Sequence, residues 1–176
     1  MNHLIKKEKI IPMRKWLFMA LLTAFSLSVS AQNYPPKETP TLEFAMQLRV
    51  AIGEMLTVGD TPHGRRTVIP ITGGTFEGPL LRGTIIDGGA DYQQTTGKRT
   101  ELEAIYCIRT DDGIVIHVRN RGIVCNDPQA YYFNTAPQFE APADSKYAWL
   151  NNALFVCQPD FSSDFKGIVL NVWKVK

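Results

Sequence analysis

The chain has 176 residues, of which 44% are hydrophobic and 20% charged, and its formal net charge is +2. Five basic residues and one acidic residue lie within the first 31, so the remainder holds 14 basic and 16 acidic groups, a net charge near −2. The remainder has the size of one ordinary domain, and its charge offers no basic surface for nucleic acid or an anionic membrane.

The first 31 residues have the three parts of a secretory signal peptide. A basic head from Lys6 to Lys15 precedes an uncharged run from Trp16 to Ser30, which ends at Val29-Ser30-Ala31 with small residues where a signal peptidase cuts. A membrane anchor is the alternative, but the apolar run is shorter than the ~20 residues of a spanning helix. We therefore expect cleavage after residue 31, export to the periplasm or the cell exterior, and no membrane association afterwards.

Residues 32–40 contain three prolines and are predicted to form an extended leader before a domain that spans 41–176. Alternation of apolar and other residues starts directly after it. The apolar positions are Leu42, Phe44, Met46, Leu48, Val50 and Ile52. Six apolar residues at six alternate positions predict a strand with one buried face.

Several further strands follow in the sequence. Short ones are predicted near 66–71, 75–77 and 80–86, each ending at Gly or Pro. The segment 100–125 contains two alternating runs around Thr110-Asp111-Asp112-Gly113, which is typical of a β-hairpin. The last strand is predicted at 167–175, and only Tyr147–Ala153 has a short helical pattern.

Seven to ten short strands in one domain must protect their exposed edges, either by closing into a barrel or by stacking as a sandwich. The 13 glycines, many of them paired, suit the sharp bends of a barrel. We predict an all-β fold, a single antiparallel β-barrel with one short helix near the C-terminal third.

Three cysteines, Cys107, Cys125 and Cys157, allow at most one internal disulfide after export, and the sequence does not decide whether one forms. Their spacing matches no metal motif, so no metal site is predicted. The alternation around Cys107 favours a buried apolar role for that thiol.

The segment from His63 to Gln93 and several later positions carry linked motifs. These are Gly64-Arg65-Arg66, Pro70-Ile71, Gly73-Gly74, Phe76-Glu77-Gly78-Pro79, Gly88-Gly89-Ala90-Asp91, Gln93, Tyr106, Thr110-Asp111-Asp112-Gly113, Asn120, Gly122, Phe139-Glu140 and Trp149-Leu150-Asn151. Together they resemble domain of unknown function 3237, also called uncharacterised protein family 0311, over nearly the whole expected mature chain. The resemblance implies a β-barrel with an interior pocket. Tyr92, where a Trp is common, and the export signal are departures from the family pattern.

Two carboxylates are candidate catalytic groups. Glu77 lies in an otherwise apolar strand, and a desolvated carboxylate there would have a raised pKa and could act as a general acid or base. A structural ion pair with a nearby arginine is the alternative for Glu77. Asp91 follows a glycine pair that would let the backbone approach a ligand, although the same pattern also occurs in simple turns.

Six residues are candidate ligand-binding groups. Arg66 could bind an oxyanion or pair with Glu77. Gln93 would share a face with Asp91 on an extended segment. Tyr106 and Asn120 fall at the apolar positions of their hairpin strands, so they either satisfy each other or contact a ligand.

Glu140 and Trp149 complete the set, as an acid and an aromatic group near the expected barrel end, although a Trp is more often part of a core. The sequence lacks the motifs of nucleotide, metal and serine-hydrolase sites, so no cofactor is predicted.

Three functions remain compatible with these features. The leading hypothesis is a barrel that binds a small, largely apolar molecule in an interior pocket with a few polar groups. The second is a cofactor-independent lyase, isomerase or cyclase that uses Glu77 or Asp91 as base, with Arg66 or Tyr106 stabilising an oxyanion. The third is a structural or interaction protein with a filled barrel. A homodimer is compatible with each of them.

Overall fold

The computed structural model describes residues 38–161 and 165–176. The predicted signal peptide (1–31) and residues 32–37 of the predicted leader (32–40) lie outside the described residues. Pro40–Lys176 forms one compact unit. Within the described residues, no helix is long and apolar enough to cross a membrane.

The described chain folds into ten strands and one 3₁₀ helix. The strands are β1 (Leu42–Ile52), β2 (Leu56–Thr61), β3 (Gly64–Glu77), β4 (Arg82–Ile85), β5 (Gly89–Thr96), β6 (Arg99–Thr110), β7 (Val115–Cys125), β8 (Tyr132–Glu140), β9 (Phe155–Asp160) and β10 (Gly167–Val175). The 3₁₀ helix is Ala148–Asn152, so the predicted short helix is confirmed as a single 3₁₀ turn. The predicted all-β class is confirmed.

The strands close into an antiparallel barrel with eight positions around its wall. The ring runs β3, β1, β10, β9, β8, β7 and β6, and returns to β3 through the position that β4 and β5 share. β1 and β2 follow one another along one edge of β3, and β4 and β5 share its other edge. Closure removes the exposed edges that an open sheet of this size would leave.

β3 is longer than its sequence pattern predicts, because it joins the predicted strands 66–71 and 75–77. Pro70 lies inside it, where a proline cannot donate a ladder hydrogen bond. On the edge of β3 that faces β1 and β2, β2 pairs with β3 as far as Val68, and β1 pairs with β3 from Ile71 onwards. Pro70 therefore lies in the gap between two partner strands, where no ladder donor is required.

In β1, the prediction that all six alternating apolar residues share one buried face is wrong for the first two. A bulge between Phe44 and Met46 shifts the register against β10. Leu42 and Phe44 are consequently 56% and 42% exposed, whereas Met46 and Leu48 are buried. The first two of the six alternating apolar residues thus face outward, because one extra residue reverses the parity of a strand.

The β6–β7 hairpin forms as the sequence predicts. Arg109 pairs with Val115, and the amide of Gly113 donates to the carbonyl of Thr110 over 2.8 Å. The φ of Gly113 is +89°, a backbone conformation that favours glycine. This hairpin contributes the inward-facing side chains on one side of the barrel interior.

Candidate functional site

The barrel encloses a cavity of about 400 Å³, called the barrel cavity here. Most of its wall consists of aliphatic and aromatic side chains, and the aliphatic ones come mainly from β1, β3, β6 and β10. Examples are Val50, Ile71, Leu102 and Leu170, all of which are buried. A cavity of this volume lies within the range of small-molecule sites in proteins.

A row of three paired residues crosses the cavity wall. Asp91 on β5 pairs with Ala104 on β6, and Ala104 pairs with Asn120 on β7. All three line the cavity. Residues opposite one another on neighbouring strands point to the same face, so the sheet register places a carboxyl and an amide on either side of one methyl group.

The surroundings of Asp91 disfavour its charged form. Its Oδ2 accepts a hydrogen bond from Gln93 Nε2 over 2.7 Å, whereas its Oδ1 is buried and has no hydrogen-bond partner among the described residues. Burial raises the pKa of Asp91, and the hydrogen bond from Gln93 opposes that rise only in part. Asp91 and Gln93 share a face of β5, as their spacing predicts.

Asn120 is more deeply buried than Asp91. It is 2% exposed, and its Oδ1 has no hydrogen-bond partner among the described residues. Buried polar atoms are nearly always paired in folded proteins, so an unpaired amide oxygen facing a cavity needs an explanation. Thr135, which is 5% exposed, also lines the cavity and likewise has an unpaired side-chain oxygen.

A second row of paired residues lies beside the first. It runs from Gln93 through Leu102 and Gly122 to Thr135. A Cβ added at Gly122 would come within 2.3 Å of Thr135 Cγ2. Gly122 therefore provides the space that the Thr135 side chain occupies beside the cavity.

Tyr106 follows Ala104 by two residues on β6, on the side of the first row away from Leu102. It is 4% exposed and lines the cavity. Burial raises the pKa of its phenol, and the nearby Cys157 and Asp91 raise it further. Tyr106 therefore remains a neutral hydroxyl group over the physiological pH range.

Aromatic side chains that the sequence reasoning did not single out occupy another part of the wall. Phe133 and Phe161 are stacked, with ring centroids 5.9 Å apart and an angle of 27° between their planes. Tyr131 and Phe161 are 61% and 64% exposed while lining the cavity, so this part of the wall borders solvent. In the sequence, the run of three aromatic residues Tyr131-Tyr132-Phe133 was the feature that could have indicated this part of the wall.

Glu77 lies outside the cavity. Its neighbour Phe76 is buried, and alternation turns Glu77 outward to solvent. The desolvation on which its candidacy as a base depended is therefore absent. Its cross-strand neighbour Arg82 instead forms an ion pair with Asp111 over 3.1 Å.

Arg66, Glu140 and Trp149 also lie away from the cavity lining. Arg66 donates through Nη2 to Gln94 Oε1 over 2.7 Å. Glu140 is exposed, because it follows the buried Phe139 on β8. Trp149 packs against the core, with its ring centroid 6.0 Å from that of Phe155.

A second concavity of about 840 Å³, called the outer groove here, lies on the outside of β5 to β9, and Arg66 and Tyr92 are among its lining residues. Four of its five charged side chains form ion pairs with one another, Arg99 with Glu101 and Arg121 with Glu103. The outer groove is larger, but the unpaired buried oxygen atoms face the barrel cavity. The barrel cavity is therefore the stronger candidate for a functional site.

The chemistry of metal binding finds no support in the described parts of the chain. Residues 38–161 and 165–176 contain no group of three His, Cys, Asp or Glu side chains placed to hold a metal ion. Cys107, Cys125 and Cys157 are all unpaired. Burial raises the pKa of the Cys157 thiol to about 11.

Comparison with known proteins identifies relatives over most of the chain. The pattern of the family described as Protein of unknown function (DUF3237) matches residues 40–175. A UPF0311 protein of Rhodopseudomonas palustris (strain TIE-1) is 36% identical over 135 residues, which cover 67% of this chain and 88% of that protein. A crystal structure of a beta-barrel like protein from Acinetobacter baumannii matches with a TM-score of 0.72 at 30% identity, covering 82% of this chain and 100% of that one.

A fungal relative has an activity in its name. A hydroalkoxylation enzyme of Penicillium herquei is 27% identical over 138 residues, which cover 78% of this chain and 85% of that enzyme. A crystal structure of an enzyme from the same fungus matches with a TM-score of 0.65 at 25% identity, covering 80% of this chain and 98% of that one.

Proposed function

Because this chain belongs to the family described as Protein of unknown function (DUF3237), whose barrel encloses a cavity in this member, we propose that it binds a small, largely apolar molecule inside the barrel. The observation that carries the proposal is the pair of unpaired oxygen atoms, Asp91 Oδ1 and Asn120 Oδ1, in the wall of that cavity. Leaving a buried polar atom unpaired costs about 1–3 kcal/mol, which a ligand hydrogen bond would offset.

The size and lining of the cavity support the same reading. Ligand sites are mostly apolar with a few placed polar groups, and the barrel cavity has that composition. In the outer groove, Arg99, Glu101, Glu103 and Arg121 already form ion pairs, so a ligand that binds these groups would have to replace them. A barrel with a filled interior would not retain about 400 Å³ of space.

A pair of alanine substitutions distinguishes the two concavities. Ala104 points into the barrel cavity, whereas Ala136 is exposed and lines the outer groove. The fluorescent apolar probe N-phenyl-1-naphthylamine is titrated into the wild type, Ala104→Met and Ala136→Met. We expect Ala104→Met to weaken binding roughly tenfold or more by filling the cavity, and Ala136→Met to leave it unchanged. Equal affinity in wild type and Ala104→Met, or loss only in Ala136→Met, would contradict the proposal.

A second candidate function is acid–base chemistry on the bound molecule. Burial raises the pKa of Asp91, which brings a carboxyl group closer to the range in which it exchanges protons at neutral pH. The neutral hydroxyl of Tyr106 would stabilise a developing oxyanion. The hydroalkoxylation enzyme of Penicillium herquei supports this candidate, since adding an O–H across a carbon–carbon double bond requires a proton to move.

The test uses 2-allylphenol, a simple molecule that holds both a hydroxyl group and a double bond. If the enzyme reading is correct, the wild type cyclises it without an added cofactor and Asp91→Asn lowers the rate by roughly 100-fold or more, the usual range for a general base. Asp144→Asn, which alters an exposed carboxylate, is the matched control. Binding of the apolar probe without any cyclisation would leave ligand binding as the function and remove the enzyme reading for this substrate class.

A further inference from the structure

The barrel cavity combines hydrogen-bond acceptors with a lack of positive charge. Asp91 is the single carboxylic acid in its described lining, and that lining contains no Lys, Arg or His. An anion that entered would lose its hydration and find no cationic partner, which costs several kcal/mol in a low-dielectric interior. Carboxylates and phosphates are therefore poor ligands for this cavity.

A cation is also a poor match. Ionised Asp91 would attract an ammonium group, but Gln93 already donates to its Oδ2, so Oδ1 is the one carboxyl oxygen left to contact a cation. The other unpaired acceptors, Asn120 Oδ1 and Thr135 Oγ1, are neutral. The remaining wall is mainly aliphatic and aromatic, so a cation would lose more hydration than it gains in contacts.

The two acceptors flank a small residue in one row. Adjacent strands lie about 4.8 Å apart, so two steps across the sheet separate the Asp91 and Asn120 backbones by about 10 Å. Ala104 lies between them and contributes only a methyl group. The space above Ala104 therefore fits a flat ring system whose polar edge groups face acceptors on both sides.

We propose that the ligand is a neutral, ring-sized molecule with at least one hydroxyl group, whose hydrogen is accepted by Asp91 Oδ1 or Asn120 Oδ1 while its apolar skeleton rests on Ala104. This inference depends on the proposed binding of a small molecule in the barrel cavity. The stacked Phe133 and Phe161 supply a further apolar surface for an aromatic skeleton.

Four naphthalene derivatives of similar shape test the inference by calorimetric titration into the purified protein. They are 2-naphthol, 2-methoxynaphthalene, 2-naphthoate and 2-naphthylmethylamine. We expect 2-naphthol to bind tightest, the methoxy compound roughly three- to tenfold more weakly for the loss of one hydrogen bond, and the carboxylate roughly 100-fold more weakly or undetectably. The protonated amine should also bind more weakly than 2-naphthol.

Variants assign the acceptor. Asn120→Leu removes the amide oxygen at similar volume, and Asn152→Leu alters an exposed amide as the matched control. We expect Asn120→Leu to reduce the preference for 2-naphthol over 2-methoxynaphthalene and Asn152→Leu to leave it intact, with folding checked by circular dichroism. Asp91→Asn serves as the second variant should Asn120→Leu fail to fold.

The outcomes separate this inference from the proposed function. Equal binding of 2-naphthol and 2-methoxynaphthalene, both weakened by Ala104→Met, would refute the hydroxyl requirement and leave cavity binding in place. Tightest binding of the carboxylate or the amine would refute the neutral character of the ligand. Absence of binding by all four compounds and by N-phenyl-1-naphthylamine would overturn the proposed function itself.

Discussion

Burial acts on Asp91 in the opposite sense to the contacts of the surface carboxylates. The Arg119 and Arg121 guanidinium groups hold the pKa of Glu103 below its usual value, and Lys98 does the same for Asp127. Asp91 lies in the barrel wall with an amide donor and no cation, so desolvation dominates and its pKa rises. Asp91 therefore holds a proton up to a higher pH than the ion-paired surface carboxylates Glu103 and Asp127.

This difference predicts a pH-dependent stability. Between the ordinary pKa of an aspartate and the raised pKa of Asp91, the folded protein holds a proton that the unfolded chain has released, so stability falls as the pH rises through that window. Asp91→Asn removes this loss. From about pH 4 to about pH 8, we expect the free energy of unfolding of Asp91→Asn to rise steadily relative to that of the wild type in urea titrations. A difference that stays constant with pH, or an equal effect of Asp144→Asn, would contradict this.

Strand parity accounts for much of the site at residue level. The alternation in the β6–β7 hairpin predicts that Tyr106 and Asn120 face inward, and the structure buries both. The same rule turns Glu77 outward, because its buried neighbour Phe76 faces the interior. Strand parity does not predict how far Asp91 is desolvated, because the burial that raises its pKa depends on strands that are distant in the sequence.

At the level of strands, one bulge decides which apolar residues reach the core. Alternation alone predicts that Phe44 and Leu48 contribute alike to stability. The bulge before Met46 leaves Phe44 on the outer surface, in edge-to-face contact with Trp173 at 6.3 Å, whereas Leu48 is 1% exposed. A bulge of one residue carries little signal in a single sequence, because it is set by the register against β10 and β3.

The bulge leads to a prediction for two truncations on β1. Leu48→Ala removes buried methyl groups and is expected to lower the free energy of unfolding by about 2–5 kcal/mol. Phe44→Ala removes a larger but half-exposed side chain and is expected to lower it by about 1 kcal/mol or less. Thermal and urea unfolding of both variants provides the measurement. Equal destabilisation by the two would place Phe44 in the core and refute the bulged register.

At the scale of the whole molecule, the sequence predicts that the sheet closes into a barrel, but it does not predict which strands pair to close it. The number of short strands and the need to protect edges favour a barrel before any contact is known. The pairing of β1 with β3, which completes the ring, joins segments that the sequence gives no local reason to connect. Strand pairing of this kind depends on the total burial of the barrel interior, so only the folded chain reveals it.

The joints of the barrel differ in their number of paired residues, which predicts where it opens. β6 and β7 share 11 register pairs, whereas β8 and β9 share the pair Thr135 and Cys157 within the described residues. Fewer ladder hydrogen bonds lower the free energy of local opening, so the facing amides of β8 and β9 should exchange with deuterium roughly 100-fold faster than those of the β6–β7 hairpin. Hydrogen exchange followed by NMR measures both sets of amides in one sample.

Because Thr135 lines the barrel cavity, opening between β8 and β9 would expose the cavity, and 2-naphthol should slow exchange there more than in β6–β7. Equal protection at the two joints would show that the side chains across β8 and β9, rather than their ladder bonds, hold the wall closed.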